Sequence, residues 1–151
     1  MAGDPAITKV SDGLQDLLTQ MNMSVFVDRS DEEPILDEER PCVVIRIVDV
    51  QFTPIGMAEM RHEVTVDFDF YDQLLSAATI TRRHAVMIAK ANGLIAADRT
   101  VGGMLESLEL RSATAEIDAM PDLGCATLTG ELSFLTPRGD FTTILGASRQ
   151  F

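Results

Sequence analysis

A reactive or ligand-binding centre in this chain would have to be built from His62, His84, Cys42, Cys125 and the carboxylates. A histidine does acid–base chemistry when a nucleophile or a carboxylate is held beside it. No serine or cysteine motif places one beside His84, which falls on the apolar stripe of a helical pattern and reads as an interior or boundary residue. His62, at the start of a strand pattern, reads the same way. Cys42 and Cys125 have no CxxC or knuckle spacing and read as buried or half-buried thiols of a reducing compartment. The run Asp28 to Arg40 holds Asp31, Glu32, Glu33, Asp37, Glu38 and Glu39, the oxygen ligands a hard divalent cation takes. It lacks the glycine-punctuated spacing of a calcium loop, so a solvated surface loop is expected and no metal is assigned. Gly102 and Gly103 are adjacent, but a helix precedes them and a strand follows, the reverse of a phosphate-binding loop. The pair reads as backbone freedom at a sharp reversal. Neither catalytic residues nor a cofactor is predicted, and the chain is not expected to be an enzyme.

The totals agree with a folded unit that works by contact. A chain of 151 residues with 46% hydrophobic content suits one domain with a real core. Twelve basic against twenty-four acidic residues give a net charge of −12, which repels a phosphate backbone and disfavours direct nucleic-acid binding. The start of the chain lacks the basic and apolar regions of a signal peptide, and no apolar run approaches the ~20 residues needed to span a bilayer. A soluble, cytoplasmic protein with no membrane partner is expected.

The elements that must position these residues can be read from periodicity. Asp4 and Pro5 predict an N-cap and first-turn proline for a helix whose Ile7, Val10, Leu14, Leu17, Leu18 and Met21 form an apolar stripe, with Gly13 on the polar side. Val25 to Val27 predicts a short strand. Cys42 to Phe52 predicts a central strand, and Arg61 to Tyr71 a second, in which Val64, Val66, Phe68 and Phe70 alternate with Glu63, Thr65, Asp67 and Asp69. Thr53 to Met60 is expected to connect them as a hairpin, and its apolar Ile55, Met57 and Met60 either form a partner surface or tuck back. Ser76 can cap a second helix with Ala77, Ile80, His84, Met87, Ile88 and Ala91 on one face and Arg82, Arg83 and Lys90 on the other, ended by Gly93. Ser107 to Asp118 and Gly124 to Thr136 predict a second hairpin, turning through Met120 to Gly124. The tail 138–151 shows no periodicity and is expected to order only against a neighbour. The result is an α+β domain, two helices on a mostly antiparallel sheet built from two long hairpins.

One stretch, Ala91 to Glu106, joins the second helix to the second hairpin and carries Asp98, Arg99, Thr100, Val101, Gly102 and Gly103. With the capped first helix, the hairpin ending in Val64 to Phe70, the helix Ser76 to Asn92 and a strand pair closed by Phe134, Leu135, Thr136 and Pro137, this joint resembles the tail terminator proteins of long-tailed bacteriophages, over nearly the whole chain. Tail-completion and minor tail proteins are similar. The resemblance implies a ring, usually a hexamer, on the last ring of a finished tail tube, with the major tail tube protein, a head connector or neck protein and further copies of itself as partners. It implies assembly in the host cytoplasm and a final place in the virion, at the head–tail interface. Ile55, Met57, Met60, Asp98 and Arg99 are the expected subunit or tube contacts. Two other readings are another head–tail joint protein and a small acidic module for a basic partner in a non-viral bacterial system.

Overall fold

A computed structural model describes residues 4–27, 41–73, 77–120 and 123–146. The elements, in chain order, are helix α1 (Ala6–Leu18), strands β1 (Ser24–Val27), β2 (Cys42–Ile55) and β3 (Glu59–Gln73), helix α2 (Ala77–Ala97), and strands β4 (Ser107–Met120) and β5 (Leu123–Pro137). The strands form one sheet in the order β1-β2-β3-β5-β4, antiparallel throughout except where β1 pairs with β2. The architecture is α+β, with β2–β3 and β4–β5 as two long hairpins. The acidic run 28–40, the cap at Ser76, the turn residues Pro121 and Asp122 and the last residues, 147–151, lie outside the described residues.

Alternation along β3 decides the layers. Val64, Val66, Phe68 and Phe70 are buried and face the helices, meeting Leu128, Leu132 and Phe134 of β5 and Val43 and Ile45 of β2. The helices cover them with Val10, Leu14 and Leu18 from α1 and Met87, Ala91 and Ile95 from α2. Each fully buried phenylalanine contributes roughly 1.5–3 kcal/mol. The first four residues of β2, Cys42–Ile45, are buried on both faces, as a central strand requires. Beyond Ile45 β1 has ended, so the rest of β2 has no described strand on its outer side.

Five local expectations are corrected. The β2–β3 connection is not Thr53 to Met60: both strands run on, Pro54 pairing with Met60 and Ile55 with Glu59, and the turn is only Gly56–Ala58, with Gly56 at φ 62°. Pro54 fits because β2 is an edge there and needs no outward N–H. Asp4 does not cap α1. Pro5 is the capping residue, with no side-chain cap, and the Ala6 N–H is satisfied by the Phe141 carbonyl at 2.7 Å. α1 itself stops at Leu18; a 3₁₀ turn, Thr19–Met21, brings Met21 into the core, and Asn22, at φ 60°, turns the chain away. Gly13 is half-buried rather than on the polar side: a Cβ there would collide with the Met104 methyl and lie 3.1 Å from Val101 Cγ1.

The fifth correction concerns Gly93, which sits inside α2 and does not end it. The helix continues because Ile95, one turn beyond Ala91, is buried in the core, and that contact outweighs the ~1 kcal/mol a mid-helix glycine costs. Nothing lies within 4 Å of where a Gly93 side chain would begin. Gly93→Ala should therefore stabilise the protein by about 1 kcal/mol in urea unfolding; a left-handed helix stop at this position would instead make the same change destabilising.

Candidate functional site

The hairpin tip is the most exposed apolar feature of the described chain. Met57 is 94% exposed on the three-residue turn. The turn is held from below: the Arg138 backbone N–H donates to the Ala58 carbonyl at 2.9 Å, and its guanidinium to the Gly56 carbonyl at 3.4 Å. Ile55 and Met60 are half-buried and, by alternation, lie on opposite faces of the sheet, Met60 on the helix side. Along the same hairpin Val48 and Phe52 are about half exposed, and Phe141 joins them. Val48 directly follows the inward-facing Ile47, and a bulge between Ile47 and Asp49 is what turns it outward.

His62 is the centre of an aromatic cluster behind this surface. It is 4% exposed, stacked on Phe134 with centroids 4.5 Å apart, and met edge-on by Phe52 at 5.0 Å and Phe141 at 4.5 Å. Its Nε2 lies 2.9 Å from Thr136 Oγ1, and that hydroxyl donates its one proton to the Pro137 carbonyl. An Nε2–H that donates to Thr136 Oγ1 satisfies this arrangement, so the neutral ring is assigned the Nε2-protonated tautomer. Burial lowers the His62 pKa below the ordinary imidazole value. His84 is also buried, on the core side of α2.

Asp98 and Arg99 lie elsewhere, in the joint between α2 and β4, against α1. Asp98 closes the turn, its carboxylate accepting from the Gly102 N–H at 2.9 Å, while Thr100 Oγ1 accepts from the Gly103 N–H at 3.2 Å. Val101, at φ 48°, is buried, and Gly102 and Gly103 take φ 69° and 86°. The polar residues and glycines of the joint thus serve to close its turn, and Arg99 is exposed. One ion pair links the two regions: Arg61, next to Met60, grips Glu106 at the end of the joint with two bonds of 2.8 and 3.1 Å, which raise the arginine pKa further.

The sheet face away from the helices carries the charge. Asp69, 2% exposed, accepts from Arg46 at 2.5 Å and Thr127 at 2.7 Å, and Asp67 accepts from Thr129 at 2.7 Å. Glu109 and Glu131 stand directly opposite across β4 and β5, a destabilising like-charge pair. Arg111, at a bulge in β4, bridges both, at 3.2 and 2.9 Å. A shallow groove of about 380 Å³ runs here, lined among others by Asp49, Glu63, Arg61 and Glu131. Further along the face Cys42, Tyr71 and Cys125 are consecutive ladder partners, and burial raises the Tyr71 pKa. Two ladder steps put the cysteine Cα atoms ~9.6 Å apart, beyond the reach of a disulfide, and neither forms one.

Among the described residues no three His, Cys, Asp or Glu side chains gather as metal ligands, and no described helix is long and apolar enough to cross a membrane. The chain matches no family model and no curated protein.

His62 predicts a pH dependence. Its folded pKa lies below the unfolded value near 6.5, so its neutral form is accommodated above that pH, and stability falls as pH drops through 6.5 toward the folded pKa. Asp140 acts in a separate window. Hydrogen bonds from Thr142 and Thr143 hold its pKa at about 2, so its contribution is lost only as pH falls from 3.8 toward 2. Denaturant midpoints measured between pH 7 and 5 should decline for the wild type and flatten for His62→Phe.

Proposed function

We propose that this chain is a virion assembly protein of the tail terminator type, which closes into a ring on the last ring of a finished tail tube, stops its growth and offers a surface to the head connector. The supporting observation is the tip. Met57 projects almost wholly into water from a turn anchored by Arg138, at the end of strands of 14 and 15 residues. An apolar side chain held out by a paired hairpin is preorganised for docking, because little further ordering is needed on contact. The joint adds support, since Asp98, Thr100, Gly102 and Gly103 all serve the turn that the resemblance rests on.

Another head–tail joint or minor tail protein would use the same tip on a different partner. A second reading, an acidic module for a basic protein, is favoured by the carboxylate-rich sheet groove. The measurement that separates them is mass by light scattering, with and without isolated tail tubes: termination requires a multi-copy species, free or on tubes, and arrested tube growth.

Met57→Asp should leave the thermal midpoint within a few degrees of wild type, because this side chain touches little, yet remove tube capping. Met60→Asp is the poorer probe, since that half-buried position faces the helix side and a charge there would also cost stability. Undiminished capping by the folded Met57→Asp protein would reject the tip as the contact.

A further inference from the structure

We propose that the sheet face turned away from the helices in one copy receives, at its exposed acidic row, the outer face of α2 from a second copy, in a head-to-tail contact carried by opposite charge. The contact rests on the assembly reading above and specifies which two surfaces meet.

α2 contains no Asp or Glu, although the chain as a whole carries a charge of −12. Arg83 is turned to the nearly buried Asp72, at 2.5 Å. Arg82, Val86 and Lys90, at intervals of four residues, form an exposed stripe, with Val86 54% exposed between the two cations. A rise of ~1.5 Å per residue sets Arg82 and Lys90 ~12 Å apart along the helix.

The sheet offers the complement. Asp49, Thr65, Glu131 and Glu109 stand in one row across β2, β3, β5 and β4. All three carboxylates are exposed, and Thr65 is half-buried between Asp49 and Glu131; Arg111 bridges Glu109 and Glu131, so the row with its arginine keeps a net charge of about −2. A strand spacing of ~4.8 Å puts Glu131 ~10 Å and Glu109 ~14 Å from Asp49, which brackets the separation of the two cations. Laid across the strands, α2 brings Arg82 and Lys90 to the acidic positions and Val86 over Thr65.

α2 and this face lie on opposite sides of the sheet, since Met87, Ala91 and Ile95 of α2 pack on the face that the acidic row turns away from. Two copies cannot satisfy both contacts between themselves. Each added copy therefore presents a fresh surface, and assembly proceeds until a ring closes or a filament grows.

The test uses two variants of the full chain, Asp49→Lys/Glu131→Lys and Arg82→Glu/Lys90→Glu, followed by light scattering at low ionic strength. The wild type should associate, and dissociate at about 0.5 M salt, where the Debye length falls to about 4 Å. Each variant alone should self-associate at least about tenfold more weakly, a loss of ~1.4 kcal/mol. An equimolar mixture should regain wild-type mass, because each variant's altered face then meets an opposite charge on the other. A misfolded variant could not be rescued in this way, so recovery on mixing also establishes that both are folded. A wild type that stays single at low salt, a variant that associates like wild type, or two folded variants that do not recover on mixing would overturn the contact. Association that behaves as expected without arrest of tube growth would leave this contact standing and defeat the terminator reading instead.

Discussion

The structure depends on the phase of β3. This strand is paired on both sides along nearly its whole length, with β2 from Cys42 to Ile55 and with β5 from Leu123 to Pro137. Its apolar residues share one face only because side chains alternate, and a slip of one residue in either neighbour would turn that neighbour's apolar set into water. The β2 bulge preserves the match. Val43, Ile45 and Ile47 face the helices before it, Val50 and Phe52 after it, and the extra residue is the outward Val48. The same constraint that builds the core thus creates part of the exposed apolar surface.

Alternation has a cost on the other face, where β3 must place Asp67 and Asp69. A carboxylate as buried as Asp69 is tolerated only with partners, and Arg46 and Thr127 supply them from the two adjacent strands. Arg111 answers the opposed Glu109 and Glu131 in the same way. The bulge and the charges on β4 also blunt an exposed edge. Strand-to-strand pairing at this edge is thereby disfavoured.

The segment after β5 ties these parts together. Residues 138–146 show no periodicity, yet they pack within their own chain. Arg138 braces the hairpin turn, Phe141 covers His62 and caps α1 through its carbonyl, Thr142 takes the Lys9 ammonium at 2.7 Å, and Leu145 bridges to Leu135. The tip, the first helix and the sheet are braced by one short stretch, so an apolar projection such as Met57 is mounted on a connected frame.

The α+β class, both hairpins, the inward faces of α1 and β3 and the apolar character of the tip were legible in the residues, because period and turn chemistry are local properties. Local signals also misled. Asp4 and Pro5 spell a cap and Gly93 a stop, but the Phe141 carbonyl took over the first role and burial of Ile95 overrode the second. Gly13 and Asp98 were likewise legible only as residue types. That one admits Met104 and Val101 against α1, and that the other closes a turn, depends on segments distant in sequence or on backbone angles the alphabet does not carry. The row of acids across four strands exists only through register, which joins Asp49 to Glu109 across 60 positions of chain. Tertiary structure alone decides such juxtapositions, since they are set by which strands pair and not by any neighbour along the sequence.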